Sequence, residues 1–184
     1  MTVCPPVKAG GQNMHFAREG AFTGEVSAPM LLELGVEGAI VGHSERRQLF
    51  GETDETVRLR CEAALGAGLA VIACVGESES EREAGKTEAV LRRQVAAIPR
   101  HEALVIAYEP VWAIGTGKTA TPGLAQSAHE TIKAVHDTRV LYGGSVKPEN
   151  AAELMAQPAV DGALVGGASL EPESFAAICR AAAT

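Results

Sequence analysis

Three features of the sequence predict an α/β fold with a parallel sheet. Short runs of Val, Ile, Leu and Ala recur, each closed by glycine or a polar turn. Stretches with helical periodicity and recognisable caps lie between them. The repeat, about 30 residues, is the length of one strand plus one crossover helix, the connection that parallel strands require. A barrel and a doubly wound sheet both satisfy this pattern.

The runs are GAIVG at 38–42, LAVIACVG at 69–76, LVIAYE at 104–109, RVLYGG at 139–144 and VDGALVGG at 160–167. Their continuous apolar character is that of strands buried on both faces. KAGGQN at 8–13 is less apolar but stands one unit upstream of the first clear strand, and it brings the total to six. Helices are expected after Asp54, after Thr121-Pro122 and from Pro148, where a capping side chain or a proline suited to a first helical turn precedes a periodic stretch. No linker or low-complexity segment interrupts residues 1–184, which are expected to form a single domain.

Composition narrows the function. The net charge is -7, from 16 Lys+Arg against 23 Asp+Glu. With no basic cluster longer than two residues, nucleic acid is excluded as a partner, because its affinity rests on phosphate neutralisation. No run approaches the length of a membrane span and the N-terminal residues lack a leader pattern, so a cytoplasmic location and no membrane partner are expected. Cys4, Cys61, Cys74 and Cys179 show no CxxC spacing and sit mostly in apolar surroundings, which predicts reduced core cysteines with neither a metal site nor a disulfide.

In either architecture the ligand binds at the carboxyl ends of the strands. Those positions carry His43-Ser44-Glu45, then Glu77, then Glu109 followed by PVWAIGTGKTATP, then Gly143-Gly144-Ser145, then Gly166-Gly167. Two Gly-Gly turns on the last two strands let backbone N–H groups approach an anion and read as a phosphate cradle. The GTGKT segment lacks the upstream glycine of a nucleotide-binding P-loop, since Trp112 occupies that place. Its apolar centre, VWAIG at 111–115, instead describes a lid that can exclude water from a bound ligand. His43 follows a strand and starts a helix, where the dipole disfavours imidazolium and leaves a neutral ring able to pass a proton. A carboxylate at the end of an apolar run, as at Glu109, either pairs with a cation or acts as a base.

In sequence order, GHSERRQLFGETDE at 42–55, AYEPVWAIGTGKTATP at 107–122, YGGSV at 142–146 and DGALVGGASL at 161–170 give the chain its resemblance to triosephosphate isomerases. QNMHFAREGAFTGEVS at 12–27 resembles the dimer-forming loop of that family. The resemblance implies a TIM barrel, here incomplete with about six of the eight strand-helix units. It further implies interconversion of dihydroxyacetone phosphate and glyceraldehyde 3-phosphate, with Glu109 as base and His43 as the shuttle between the enediol oxygens. Gly115, Ser145, Gly166 and Gly167 would hold the phosphate of this small triose phosphate substrate. Ser44 and Glu45 would support the site, and Cys74 would pack beside it. No cofactor and no metal are required. A homo-oligomer through the loop around Phe22, Thr23 and Gly24 is expected.

One departure from the family bears on catalysis. The family's lysine at the end of its first strand, in a pattern like GNWKMN, has no counterpart among Lys8, Lys86, Lys118, Lys133 and Lys147. Loss of a preorganised cation facing an enediolate lowers turnover by orders of magnitude. Much reduced activity is therefore expected, and a catalytically silent barrel that keeps only a phosphate-binding face, or serves as a scaffold, is the alternative.

Overall fold

The computed structural model describes residues 7–114 and 119–182. Six strands alternate with helices: β1 (Gly10–Gly11), β2 (Gly38–Val41), β3 (Ala70–Val75), β4 (Leu104–Tyr108), β5 (Val140–Tyr142) and β6 (Gly162–Ala163). The hydrogen-bonded order follows the chain from β1 to β6, and the pairings are parallel. This is the α/β architecture of an incomplete TIM barrel. By internal contacts the chain divides into two compact units, one reaching to Cys74 and including Ala97–Val105, the other comprising Val75–Ala96 and the chain from Ile106 onward.

In the first unit, Gly38 pairs with Gly10 and Ala70, and Val41 with Ala73. Three helices belong here: α1 (Ala28–Glu33), α2 (Ser44–Leu49) and α3 (Asp54–Gly66). α3 starts where it does because Thr53 and Thr56 cap each other: each hydroxyl accepts the other's backbone N–H, at 3.2 and 2.8 Å. Asp54 and Glu55 in the first turn complement the helix dipole. Val57, Cys61 and Ala64 on its inner face join Val41, Leu69, Val71 and Ala73 in the core.

The second unit carries α4 (Glu79–Glu83), α5 (Thr87–Ala96), α6 (Pro122–Val135), α7 (Pro148–Met155) and α8 (Pro172–Ala181). α6 opens on Thr121, whose hydroxyl accepts the Leu124 N–H, with Pro122 at the first helical position. α7 follows Lys147, whose N–H is accepted by Asn150 Oδ1 at 2.8 Å. α5 packs on α6 and α7 on α8. Tyr108, Tyr142, Leu91, Ile132 and Leu154 fill the core.

Two strands are far shorter than their apolar runs. β1 keeps only two glycines, which contribute no side chains to packing, and β6 keeps Gly162–Ala163. Cys61 and Cys74 are buried and free, but Cys179 is exposed on α8, so one of the cysteines expected in the core lies at the surface. Among the described residues no helix is long and apolar enough to cross a membrane.

Candidate active site

In the first unit, β2 ends at Val41 and the chain turns through Gly42, whose φ of +70° is a left-handed conformation that favours glycine. A side chain there would also meet Val57, with its Cβ 2.8 Å from Val57 Cγ2. His43 then caps α2, its Nδ1 accepting the Glu45 N–H at 3.3 Å. An accepting Nδ1 carries no proton, so the neutral ring carries its proton on Nε2. Ser44 is buried and the Glu45 side chain is 68% exposed. Arg47 fastens the turn from behind: its guanidinium donates to the Gly42 and Cys74 carbonyls at 3.0 and 3.3 Å and pairs with Asp54 at 2.7 Å. Cys74 has no exposed surface.

In the second unit, Glu109 follows β4 and is 2% exposed. Its N–H donates to the Val75 carbonyl at 2.7 Å, and the Gly143 N–H donates to the Tyr108 carbonyl at 2.7 Å. The Glu109 side chain runs along Gly143, where a Cβ would stand 3.0 Å from Glu109 Cγ. Glycine at 143 is therefore what leaves room for the carboxylate.

Parallel pairing of Tyr142 with Ala163 makes the two glycine turns leave the sheet from adjacent strand ends. Ser145 is held by the Asn150 carboxamide, which donates to its carbonyl at 3.0 Å. Gly166 and Gly167 are exposed, with open space where a Cβ would be, and Ser169 closes their turn by bonding to the Gly166 carbonyl at 2.7 Å. The structure thus brings Glu109 beside Gly143, and starts the turns that hold Ser145 and Gly166-Gly167 from adjacent strands. Gly115 lies outside the described residues.

A buried polar cluster is built on Glu77, a strand-end residue given no role by the sequence alone. Glu77, wholly buried after β3, accepts the Tyr108 hydroxyl at 3.1 and 3.2 Å and the Trp112 indole N–H at 2.9 Å. Arg82 lies 3.7 Å from the same carboxylate, with its guanidinium 4.2 Å from the Trp112 ring centroid. Burial, and then the Glu77 charge, push the Tyr108 hydroxyl well above its ordinary pKa. The cluster anchors the short 3₁₀ turn Val111–Ala113. One signal for it was present in the sequence: a charged residue closing the apolar run VIACVG.

Comparison with known proteins places these motifs in one family. A family model described as "Triosephosphate isomerase" matches residues 2–182. The triosephosphate isomerase of Solibacter usitatus is 51% identical over 209 aligned positions, covering 97% of this chain and 84% of its own. That of Symbiobacterium thermophilum is 50% identical over 214 positions, covering 100% and 84%. That of a Picosynechococcus species is 56% identical over 180 positions, covering 92% and 73%. The first two alignments are longer than this 184-residue chain, so those relatives contain a stretch with no counterpart here.

Proposed function

The chain belongs to the triosephosphate isomerase family, and we propose that it interconverts dihydroxyacetone phosphate and glyceraldehyde 3-phosphate through an enediol. Glu109 takes the proton from one carbon of the substrate and returns it to the neighbouring one. His43, with its ring proton on Nε2, donates to one enediol oxygen and recovers a proton from the other. The N–H groups of Gly115, Ser145 and Gly167, with Gly166 beside them, hold the phosphate. Ser44 and Glu45 support the histidine turn. The observation that carries this reading is Glu109 itself: a carboxylate 2% exposed, at a strand end, with a glycine opposite its side chain. A buried carboxylate at a strand end, next to the glycine turns, is a candidate for a functional site.

The test is a coupled assay with glyceraldehyde 3-phosphate, comparing the unaltered chain with Glu109→Gln over a range of protein concentrations. Loss of turnover on substitution supports the reading, and equal rates for the two proteins would overturn it. A rate that rises more steeply than linearly with protein would show a site completed by assembly.

One observation favours a second reading, a catalytically silent barrel that retains its phosphate-binding turns. Lys8 and Lys133 are engaged by Glu37 and Asp161 at 2.9 and 2.7 Å. Lys147, exposed at the start of α7 close to Ser145, is the candidate best placed to attract an anion. Turnover well below that of a family member with its lysine follows from this.

We also propose a cytoplasmic homodimer formed through the loop around Phe22, Thr23 and Gly24, with residues 1–184 acting as one domain. Phe22 is 45% exposed, its ring tilted against that of His15 with the centroids 4.2 Å apart, while Met30 on α1 and Leu34 just after it are exposed as well. Exposed apolar side chains of this kind are what a second copy would cover.

A further inference from the structure

Gly76 occupies a tight position between two backbone hydrogen bonds. On one side the Val75 carbonyl accepts the Glu109 N–H at 2.7 Å; on the other the Glu77 carbonyl accepts the Val111 N–H at 3.2 Å. Both polar groups of Gly76 itself go to a single side chain. Its N–H donates to Gln94 Oε1 at 2.7 Å, and its carbonyl accepts from Gln94 Nε2 at 3.2 Å. Gln94 is a buried residue of α5, 6% exposed, and it reaches across to the strand end with its carboxamide as a surrogate ladder partner. Gly76 meanwhile presses directly against the candidate base: a Cβ on it would stand 1.7 Å from the Glu109 carbonyl oxygen.

These contacts form one continuous linkage from α5 to Glu109, all within the second unit. We propose that Gln94 is a positioning residue for Glu109, holding Gly76 so that the backbone of the base has one place to lie. This rests on the proposed role of Glu109 as the proton-transferring base. The physical requirement is clear. A carboxylate that moves a proton between adjacent carbons needs its donor-acceptor geometry held to a fraction of an ångström, and a misplacement of about 1 Å costs up to about 100-fold. Side-chain packing alone does not give such precision at a strand end where ladder pairing stops; a bidentate amide does. A simple anchor for α5 would need only one of the two bonds, whereas the pair fixes both the position and the orientation of the Gly76 peptide groups.

The test uses Gln94→Met, which keeps the buried volume of the side chain and removes both bonds. Turnover of folded protein is expected to fall about tenfold with KM within twofold, since the phosphate-holding turns are untouched. The Glu109 amide, bonded to Val75, is expected to lose at least tenfold in hydrogen-exchange protection, while the Ile106 amide, bonded to Arg139 at 3.1 Å in the same strand, does not. Unchanged kcat, or equal loss of protection at Ile106 and Glu109, would overturn the proposal in favour of a purely structural role. Should Gln94→Met fail to fold, Gln94→Glu retains the acceptor for the Gly76 N–H and is measured against the same criteria. Glu109→Gln is assayed alongside. If that substitution leaves turnover unchanged, the base assignment fails, and the proposal that depends on it falls with it; if Glu109→Gln is inactive but Gln94→Met is fully active, only the positioning role fails.

Discussion

Trp112 donates its indole N–H to Glu77 across 35 positions of sequence, at 2.9 Å, and so ties the 3₁₀ turn Val111–Ala113 to the chain just after β3. The same carboxylate accepts the Tyr108 hydroxyl. Glu77→Ala would remove this acceptor from the half-buried Trp112 N–H and from the buried Tyr108 hydroxyl, whose loss of a partner costs about 1–3 kcal/mol. Trp112 is the sole tryptophan, so its fluorescence isolates the effect. The expected outcome is a red-shifted emission in the native protein together with a lower urea midpoint. Unchanged emission would mean that Glu77 does not hold the ring.

Glu109→Gln is nearly isosteric and retains a carbonyl oxygen, so the fold should survive while the base is lost. General bases contribute typically 10²- to 10⁴-fold. A loss in kcat of that size, with KM and the circular dichroism spectrum unchanged, is expected in the coupled assay.

Five strands were legible because their apolar runs are continuous, the sixth, β1, from its spacing alone, and all six stretches contain a strand. Their lengths were not legible. The run at 160–167 reduces to Gly162–Ala163, because pairing with β5 decides how many residues count as strand, and pairing is a tertiary fact. Glu109 and the glycine turns stood out because charge and glycine are conspicuous after apolar runs. Gln94 did not. A glutamine in the middle of a helix has the pattern of a solvated residue, and only the structure shows both of its amide atoms on Gly76. α4 was equally readable in principle, since Ser78 and Glu81 form the reciprocal cap that opens it.

The two glycine turns should respond oppositely to alanine. A Cβ at position 144 would lie 2.3 Å from the Tyr142 hydroxyl oxygen and 2.9 Å from Pro110 Cγ, and Tyr142 is fully buried. Gly144→Ala is expected to destabilise by about 1–3 kcal/mol through overpacking. At Gly167 a Cβ meets nothing within 4 Å, so Gly167→Ala should change stability by less than about 0.5 kcal/mol. If its N–H receives the phosphate, the added methyl crowds the substrate and KM rises. A normal KM for Gly167→Ala would remove Gly167 from the phosphate site.

Self-association through the first unit should depend on Phe22, whose ring lies tilted against His15 and is 45% exposed. Phe22→Asp places a charge where an apolar contact between copies would form. Light scattering is expected to show a dimer for the unaltered chain and a monomer for the variant. A compact monomer for the unaltered chain at micromolar concentration would refute the dimer.

His129 gives the protein a pH dependence whose sign can be worked out. It is fully buried, with its Nδ1 3.2 Å from the Ala159 carbonyl oxygen and its ring edge-on to Tyr108 at 5.9 Å. Burial pushes its pKa from 6.5 down to about 4, opposed in part by the Ala159 carbonyl. Above pH 6.5 the ring is neutral whether the chain is folded or not, and its contribution to stability is complete. As pH falls from 6.5 toward 4, the unfolded chain binds a proton that the folded chain refuses, so stability declines by up to about 1.4 kcal/mol per pH unit. The accumulated loss is on the order of 3 kcal/mol, with no further change below the folded pKa. Carboxylates titrate over part of the same range, so the measurement must be differential. His129→Gln keeps a donor for the Ala159 carbonyl but cannot titrate. Urea midpoints at pH 7, 5.5 and 4.5 should therefore fall less steeply for this variant than for the unaltered chain, and parallel slopes would show that His129 is protonated in the fold.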